Sequence, residues 1–199
     1  MTSQHVLIVE DSQGLAEMYE EWIGGEYEVT VAPDGETAME RFDETVDVVL
    51  LDRRLPGQSG DDVLITLRER SDCPIAMVTA VDPDFDILEL GIDDYIIKPI
   101  DREELVSTVE RLINRSQYVD QLREYFALVS KRTVIAEHKT YAELDREEYR
   151  ELEREIDELE QQLADSLARL EPQDFDVLFR EIGADNSGSG SSTSEPPAH

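Results

Sequence analysis

The chain has 199 residues, enough for one domain of ordinary size together with a smaller second unit. Its formal net charge of -30 comes from 48 acidic and 18 basic side chains, yet 40% of its residues are hydrophobic. That apolar content excludes a chain that is disordered throughout, and a single cysteine, Cys73, excludes an internal disulfide.

The basic residues are divided unevenly between the two types. Lysine occurs only at Lys98, Lys131 and Lys139, whereas arginine supplies the other fifteen basic side chains. An acidic, lysine-poor composition resembles that of haloarchaeal cytoplasmic proteins, whose dense carboxylates maintain solubility in molar salt. No run approaches the roughly 18 apolar residues of a membrane span, and the start of the chain lacks a signal-peptide pattern. We therefore expect a cytoplasmic protein without a membrane segment.

The first half of the chain alternates short apolar runs with helical patterns, which indicates βαβ units and a parallel sheet. Strands are predicted at His5 to Val9, Tyr27 to Val31, Asp47 to Leu51, Pro74 to Thr79 and Asp94 to Ile97. Helices are predicted at 13–23, 35–43, 60–70, 84–90 and 102–115. Runs such as VLIV and VVLL are apolar at consecutive positions, as expected when helices cover both faces of the sheet. The predicted fold class is α/β, with a doubly wound parallel sheet.

Beyond Arg115 the pattern changes to polar helices without strands. One apolar stripe contains Val119, Leu122, Phe126 and Val129. A second begins at Tyr149 and continues through Leu152, Ile156, Leu159, Leu163, Leu167 and Leu170. The spacings of three and four predict two amphipathic helices separated by a break around His138 to Leu144, as either an antiparallel hairpin or a coiled-coil pair. After Phe179 the chain is rich in Gly, Ser and Pro, which predicts a disordered tail.

Polar residues stand at or just past the carboxyl ends of the predicted strands, where doubly wound sheets bind ligands. They are Glu10, Asp11, Asp52, Thr79 and Lys98. Three carboxylates at one site repel one another unless a cation joins them, and Mg²⁺ is commonly held by carboxylates together with a phosphate. A carboxylate can be the nucleophile in phosphoryl transfer, while a lysine and a hydroxyl neutralise and orient the phosphate. These residues therefore predict a magnesium and phosphate site.

Four motifs carry a resemblance to a known family. VLIVEDS contains the acidic pair, VVLLDRRLPGQSG surrounds Asp52, MVTA contains Thr79, and DDYIIKPID contains Lys98. Over about 115 residues the chain resembles the receiver domains of two-component response regulators, with the motifs in that family's order and spacing. The resemblance implies a flavodoxin-like (βα)5 sheet and a phosphoryl group that Asp52 accepts from a histidine kinase. Beyond its own phosphotransfer and slow dephosphorylation, such a receiver is not an enzyme.

The resemblance also assigns roles to residues around this site. The carbonyl oxygen of Arg54 would complete the protein ligands of Mg²⁺, and Tyr95 would swing inward when Thr79 is drawn to the phosphate. The Lys98-Pro99 peptide would be cis. Val81, like Arg53 and Arg54, departs from the family's commonest pattern beside the route of the attacking water, which leaves the phosphate lifetime open.

Simpler interpretations compete with these roles. Asp11 could cap the following helix, because aspartate is a preferred N-cap, and Tyr95 could be an ordinary core residue. A receiver that acts only as a scaffold is a third interpretation. The joint presence of all five strand-end residues in the expected order speaks against it.

The second half resembles the HalX region, a helical appendage that follows haloarchaeal receivers. From residue 116 onward it has 20 acidic and 9 basic side chains, whereas nucleic-acid binders normally present a basic face. We expect a module that binds a protein partner or dimerises, with an atypical DNA-binding element as the less favoured alternative. The predicted domains are 1–115 for the receiver, 116–181 for the helical region and 182–199 for the tail.

Charged residues of segment 84–115 have two interpretations. They include Arg102, Arg111 and Arg115, with Asp93 and Asp94 just before the last strand. A solvated face is one interpretation. The other is a homodimer that pairs these charges between subunits through the 84–115 face.

Overall fold

The structure of the protein is a computed structural model that describes residues 3–81, 91–139 and 146–172, together with 174, 175 and 178. Two compact units divide the chain, Met1–Ser116 and Gln117–His199. Every helix of the described residues is too short or too polar to cross a lipid bilayer. The predicted helix at 84–90 and the predicted tail fall outside the described residues.

The first unit contains a sheet of five parallel strands. They are β1 (His5–Val9), β2 (Glu28–Ala32), β3 (Val48–Leu51), β4 (Ile75–Thr79) and β5 (Asp94–Ile97). Their order β2-β1-β3-β4-β5 is that of the flavodoxin-like doubly wound fold, so the predicted fold class is confirmed. The bounds of β1 and β5 match the prediction, and the other three strands begin one residue later than predicted.

Helices cover both faces of this sheet. They are α1 (Gln13–Ile23), α2 (Gly35–Arg41), α3 (Gly60–Arg68) and α4 (Arg102–His138). Successive strand residues point to opposite faces. Val6, Ile8, Val48 and Leu50 pack with α1 and the first turns of α4, whereas Leu7, Val9, Val49 and Leu51 pack with α2 and α3. Two buried clusters therefore hold the sheet rigid from either side and fix the positions of its carboxyl ends.

Helix α4 is much longer than predicted. The sequence predicted an end at residue 115, but the helix continues to His138, beyond the boundary between the two units. No Gly or Pro occurs between Arg102 and His138, so no residue of the segment favours a helix end. The predicted end at 115 is wrong, whereas the break predicted around His138 coincides with the end of α4.

In the second unit, α4 residues from 117 onward pair with α5 (Glu147–Leu167). The Tyr125 hydroxyl donates to Glu160 Oε1 at 2.7 Å, and the Ser166 hydroxyl donates to Gln121 Oε1 at 2.8 Å. Because the earlier residue of α4 contacts the later residue of α5, the helices are antiparallel, as in the predicted hairpin. Its core consists of the buried side chains Leu128, Ile156 and Leu159, with Tyr125, Val129 and Leu152 partly buried against them.

The buried stripe of this hairpin differs from the predicted one at two positions. Phe126 is 56% exposed and Leu167 is 41% exposed, although both were placed on the apolar stripes. Leu128 and Ser166 are buried instead. The sequence periodicity located the helices but did not determine which face of α4 contacts α5.

Candidate functional site

The hydrogen-bond ladder of the sheet extends one residue beyond three strands. The backbone N–H groups of Glu10 and Asp52 donate to carbonyl oxygens of neighbouring strands at 3.0 and 2.9 Å. The N–H of Lys98 donates to Thr79 O at 2.8 Å. Since all the strands are parallel, these residues meet at one edge of the sheet, as the sequence predicted.

Lys98 joins two of the carboxylates at this edge. Its Nζ donates to Glu10 Oε2 and to Asp52 Oδ2, each at 2.5 Å. The side chains of Glu10 and Asp52 are only 3% and 9% exposed, and that of Lys98 is 12% exposed. Lys98 therefore neutralises part of the carboxylate charge that is buried at this edge.

Asp11 completes a cluster of oxygen donors. One carboxylate oxygen from each of Glu10, Asp11 and Asp52 lies within 4.8 Å of the other two. Asp11 is exposed whereas its two neighbours are buried, so solvent reaches the cluster from the side of Asp11. Mg²⁺ prefers oxygen ligands and keeps several waters, so this donor set fits a magnesium ion.

The proposal that Asp11 caps the following helix is wrong. The N-cap of α1 is Ser12, and no side-chain hydrogen bond caps the helix there. The backbone N–H of Ser12 instead donates to Glu10 Oε1 at 3.2 Å. Glu10 is therefore held by both Lys98 and the start of α1.

Burial and charge act in opposite directions on the ionisation of this cluster. Burial raises the pKa of Glu10, and the neighbouring Lys98 only partly opposes this effect. At Lys98, burial lowers the pKa, but the hydrogen bonds and charges of Asp52 and Glu10 outweigh it and the pKa is raised overall. The lysine therefore stays cationic at neutral pH, while a charged Glu10 is disfavoured without further positive charge.

The loop after β3 approaches α3 very closely. The backbone N–H of Arg54 donates to Asp52 Oδ1 at 2.9 Å, so both Asp52 carboxylate oxygens accept hydrogen bonds. A Cβ atom on Gly60 would lie 2.3 Å from the Asp52 carbonyl oxygen and 2.6 Å from Arg53 Cα. Only glycine fits there without moving the backbone of Asp52.

An ion pair that the sequence reasoning missed ties this loop to the first turn of α3. Arg53 Nε donates to Asp61 Oδ1 at 3.0 Å, and its terminal nitrogen donates to Asp61 Oδ2 at 2.9 Å. The two side chains are 13% and 30% exposed. The pair is bidentate, a geometry that fixes orientation as well as distance. The residues are eight apart across an irregular loop, so no periodic signal pointed to the pair.

Thr79 and Tyr95 both contact Val81. Thr79 is fully buried at the end of β4, and its Oγ1 accepts the Val81 N–H at 3.3 Å. The hydroxyl of the half-buried Tyr95 donates to the Val81 carbonyl oxygen at 2.8 Å. The Lys98-Pro99 peptide is cis, as the resemblance implied.

The fold and this edge define an α/β protein with an oxygen-donor site beyond the ends of parallel strands. The sequence profile of the family described as "Response regulator receiver domain" matches residues 6–110, and that of "HalX domain" matches residues 114–179. The chain therefore belongs to the response regulator receiver family, the phosphoacceptors of two-component signalling, and carries a HalX domain after the receiver. Receiver domains typically bind Mg²⁺ at an acidic cluster of this kind.

Several known proteins share the receiver. A protein of Haloferax volcanii is 51% identical over 129 residues, which cover 64% of this chain and 22% of that protein. Sensory transduction protein RegX3 of Mycobacterium tuberculosis is 46% identical over 120 residues, and transcriptional regulatory protein CpxR of Escherichia coli is 37% identical over the same length. Each of these two matches covers 58% of this chain and 52% of the relative. The chain thus aligns with about half or less of each relative.

Solved receiver structures have the same fold as the first unit. The beryllofluoride-activated DrrB receiver domain has a TM-score of 0.52 at 27% identity, covering 56% of this chain and 98% of that chain. The non-phosphorylated HemR receiver domain of Leptospira biflexa has a TM-score of 0.51 at 31% identity, covering 55% of this chain and 93% of that chain.

Proposed function

We propose that Asp52 is the phosphoacceptor through which a cognate histidine kinase controls this protein. The observation that carries the proposal is the convergence of Glu10, Asp11, Asp52 and Lys98 at the carboxyl edge of the sheet. The Asp52 carboxylate accepts two hydrogen bonds from different parts of the site. One comes from the Arg54 N–H in the same loop, and the other comes from Lys98, which directly follows β5. They preset the orientation of the nucleophile before phosphate arrives.

Glu10, Asp11, Asp52 and the backbone carbonyl of Arg54 would hold Mg²⁺. When bound, the ion neutralises charge on the transferring phosphoryl oxygens. It would also compensate the buried carboxylate of Glu10, whose pKa burial raises. Support comes from the all-oxygen donor set and from its opening to solvent beside the exposed Asp11.

In the transfer step an Asp52 carboxylate oxygen forms a bond to phosphorus as the bond from phosphorus to the kinase histidine nitrogen breaks. The histidine keeps the electron pair of that bond and accepts a proton from solvent. Lys98 remains cationic and would move from the carboxylate toward a phosphoryl oxygen, while the Thr79 hydroxyl would donate to another. The small side chain of Ala80, which follows Thr79, would leave room beside the phosphate. Hydrolysis of the aspartyl phosphate by water, slow and self-catalysed, would end the signal.

Tyr95 would report phosphorylation to the rest of the receiver. Thr79 and Tyr95 share Val81 as a hydrogen-bond partner, Thr79 through its N–H and Tyr95 through its carbonyl. Movement of the Thr79 hydroxyl toward the phosphate removes the contact with the Val81 N–H and favours release of Tyr95 from the carbonyl. Phosphorylation thus shifts the population toward an arrangement in which Tyr95 lies inward.

We propose a receiver over 1–115, an output region over 116–181 and a tail over 182–199. The output would bind a protein partner, because the region from residue 116 onward has more than twice as many acidic as basic side chains. A homodimer through the 84–115 face is a further proposal. In the single chain, Arg111 pairs with Asp94 and Arg115 pairs with Asp93, so a dimer that uses these residues must exchange existing ion pairs.

Acetyl phosphate with Mg²⁺, followed by intact-mass measurement, tests the phosphoacceptor. We expect one phosphoryl group on the wild-type chain, none on Asp52→Asn, and wild-type labelling of Asp72→Asn. Asp72 is an exposed aspartate before β4 and serves as the matched control. Labelling of Asp52→Asn at the wild-type level would refute the proposal.

A mobility-shift assay on the full chain in molar KCl, with and without beryllofluoride, tests the output. Absence of a shift across promoter DNA, together with retention of a protein partner, is the expected result. A specific shift that depends on beryllofluoride would instead establish the DNA-binding alternative.

A further inference from the structure

Helix α4 carries an apolar stripe that the hairpin covers only in part, because Val129 packs against the hairpin core whereas Phe126 is exposed. Within the second unit, Leu122 and Val129 are half-buried, and Phe126 is 56% exposed. Phe126 and the buried Leu128 are two residues apart, which places them about 160° apart around the helix. A single partner helix cannot cover both side chains, and α5 covers Leu128. The Phe126 side of α4 therefore faces away from the hairpin core.

This stripe has the spacing of a coiled coil. Apolar or small residues recur along this stripe at intervals that alternate between three and four. They are Val119, Leu122, Phe126, Val129, Thr133 and Ala136. Val119 is already buried at 8% exposure, so the open part begins at Leu122. The Thr133 hydroxyl donates to Val129 O at 2.9 Å, so its polar group is satisfied within the helix. Such a repeat buries its side chains between two helices that carry the same pattern.

The Phe126 ring is held in place before any partner arrives. It lies against the Tyr125 ring with centroids 5.8 Å apart and an interplanar angle of 62°, an edge-to-face arrangement. Tyr125 is itself fixed by its hydrogen bond to Glu160 on α5. An oriented aromatic side chain loses little conformational entropy on binding, a property of side chains at the centres of interfaces.

Charge favours a second copy of this chain as the occupant. In a chain of net charge -30, most surfaces repel a copy. The α4 segment 117–138 is an exception, with three acidic and three basic side chains, whereas α5 has nine acidic and two basic ones. In a parallel pair of α4 helices, the heptad places Arg132 of one chain opposite Glu137 of the other, twice by symmetry.

We propose that two copies of this protein associate through their α4 helices, as a parallel coiled coil over residues 122–136 that contains Phe126 in its interface. This inference deepens the proposed role of the helical region as an interaction module and names a second copy as its partner. It does not require phosphate on Asp52. In this dimer α5 lies outside the α4 pair, where its acidic surface remains in solvent.

Sedimentation velocity of the unphosphorylated full chain in molar KCl tests the dimer. We expect a concentration-dependent dimer whose dissociation constant rises at least about ten-fold in Phe126→Glu. Val134→Glu is the matched control, because Val134 is 58% exposed on the same helix but lies about 80° from Phe126. The control variant should sediment as the wild type does. Equal helix content by circular dichroism shows that both variants fold.

Charge reversal gives a second readout that loss of folding cannot imitate. Arg132→Glu or Glu137→Arg alone should weaken the dimer, and the two changes together should restore it. A monomer at every concentration overturns the inference, as does a dimer that Phe126→Glu and Val134→Glu weaken equally. If the dimer is intact while Asp52 fails to accept phosphate, only the phosphoacceptor proposal is overturned.

Discussion

The receiver and the helical region bury their apolar side chains in different ways. The receiver sheet is covered on both faces, and its two clusters together contain more than twenty buried residues drawn from all five strands and from helices on either side. Among the described residues, the contact between the two hairpin helices has three buried apolar side chains, Leu128, Ile156 and Leu159. We therefore expect the receiver to unfold as a cooperative whole and the hairpin to open locally at lower free energy.

The largest effect is expected in the sheet. Leu7→Ala removes a fully buried side chain from β1 and should lower the free energy of unfolding of the receiver by about 4 kcal/mol. Urea denaturation followed by tryptophan fluorescence measures this, because Trp22 lies in the receiver. Leu167→Ala, at a side chain 41% exposed, is the control and should change little. A loss below 1 kcal/mol for Leu7→Ala would show that the sheet core is not the main source of stability.

The next effect concerns the contact between the loop after β3 and α3. Gly60→Ala forces a Cβ atom against the Asp52 carbonyl oxygen and should cost about 2 to 3 kcal/mol. It should also slow labelling by acetyl phosphate, because the backbone that carries Asp52 must shift. Gly25→Ala has no atom within 4 Å of the new Cβ and should leave both quantities unchanged. Normal labelling of Gly60→Ala would contradict the geometry.

The corresponding substitution of a buried leucine by alanine in the hairpin should have a smaller and more local effect. Leu128→Ala should destabilise the α4–α5 contact by about 2 kcal/mol, while the urea midpoint of the receiver stays unchanged. Hydrogen exchange read by mass spectrometry should show faster exchange in residues 117–138 and 147–167 only. Faster exchange of the sheet amides in the same variant would mean that the two regions unfold together.

Glu10→Gln should stabilise the receiver while it weakens the proposed magnesium site. Burial raises the pKa of Glu10 above 4.5, so the folded state disfavours the charged carboxylate, and the penalty grows as the pH rises above 4.5. We expect the melting temperature without Mg²⁺ to rise at pH 7. The gain should disappear below pH 4.5, where Glu10 is protonated in both states. A gain that persists at low pH would assign the effect to something other than ionisation.

The smallest effect is expected at the hydrogen bond between the two hairpin helices. The Glu160 carboxylate, through its hydrogen bond, raises the pKa of Tyr125 above its ordinary value of 10.0. Glu160→Gln should return the pKa of Tyr125 toward 10.0, measured by NMR titration of ring-labelled tyrosine. Tyr27, whose pKa burial raises to about 12, provides a reference within the receiver that should not move. An unchanged Tyr125 titration would mean that the helices do not pair in this register.

Much of the receiver site could be predicted from the sequence because parallel strands place their carboxyl ends at one edge. Glu10, Asp52, Thr79 and Lys98 follow or end apolar strands, so their convergence required only the correct strand assignment. The partners within the site could not be predicted in this way. Both the Arg53 contact with Asp61 and the close approach of Gly60 to Asp52 depend on the path of an irregular loop.

The sequence by itself determined the parallel sheet, the polar residues at the carboxyl ends of its strands, and the existence of two amphipathic helices. These features follow from local periodicity and from the common direction of the strands. Tertiary structure decided which side of α4 meets α5 and how far α4 extends. Both faces of α4 carry apolar residues at helical spacing, so periodicity alone did not distinguish Leu128 from Phe126. The physical difference is the position of α5, which covers Leu128 and leaves Phe126 exposed.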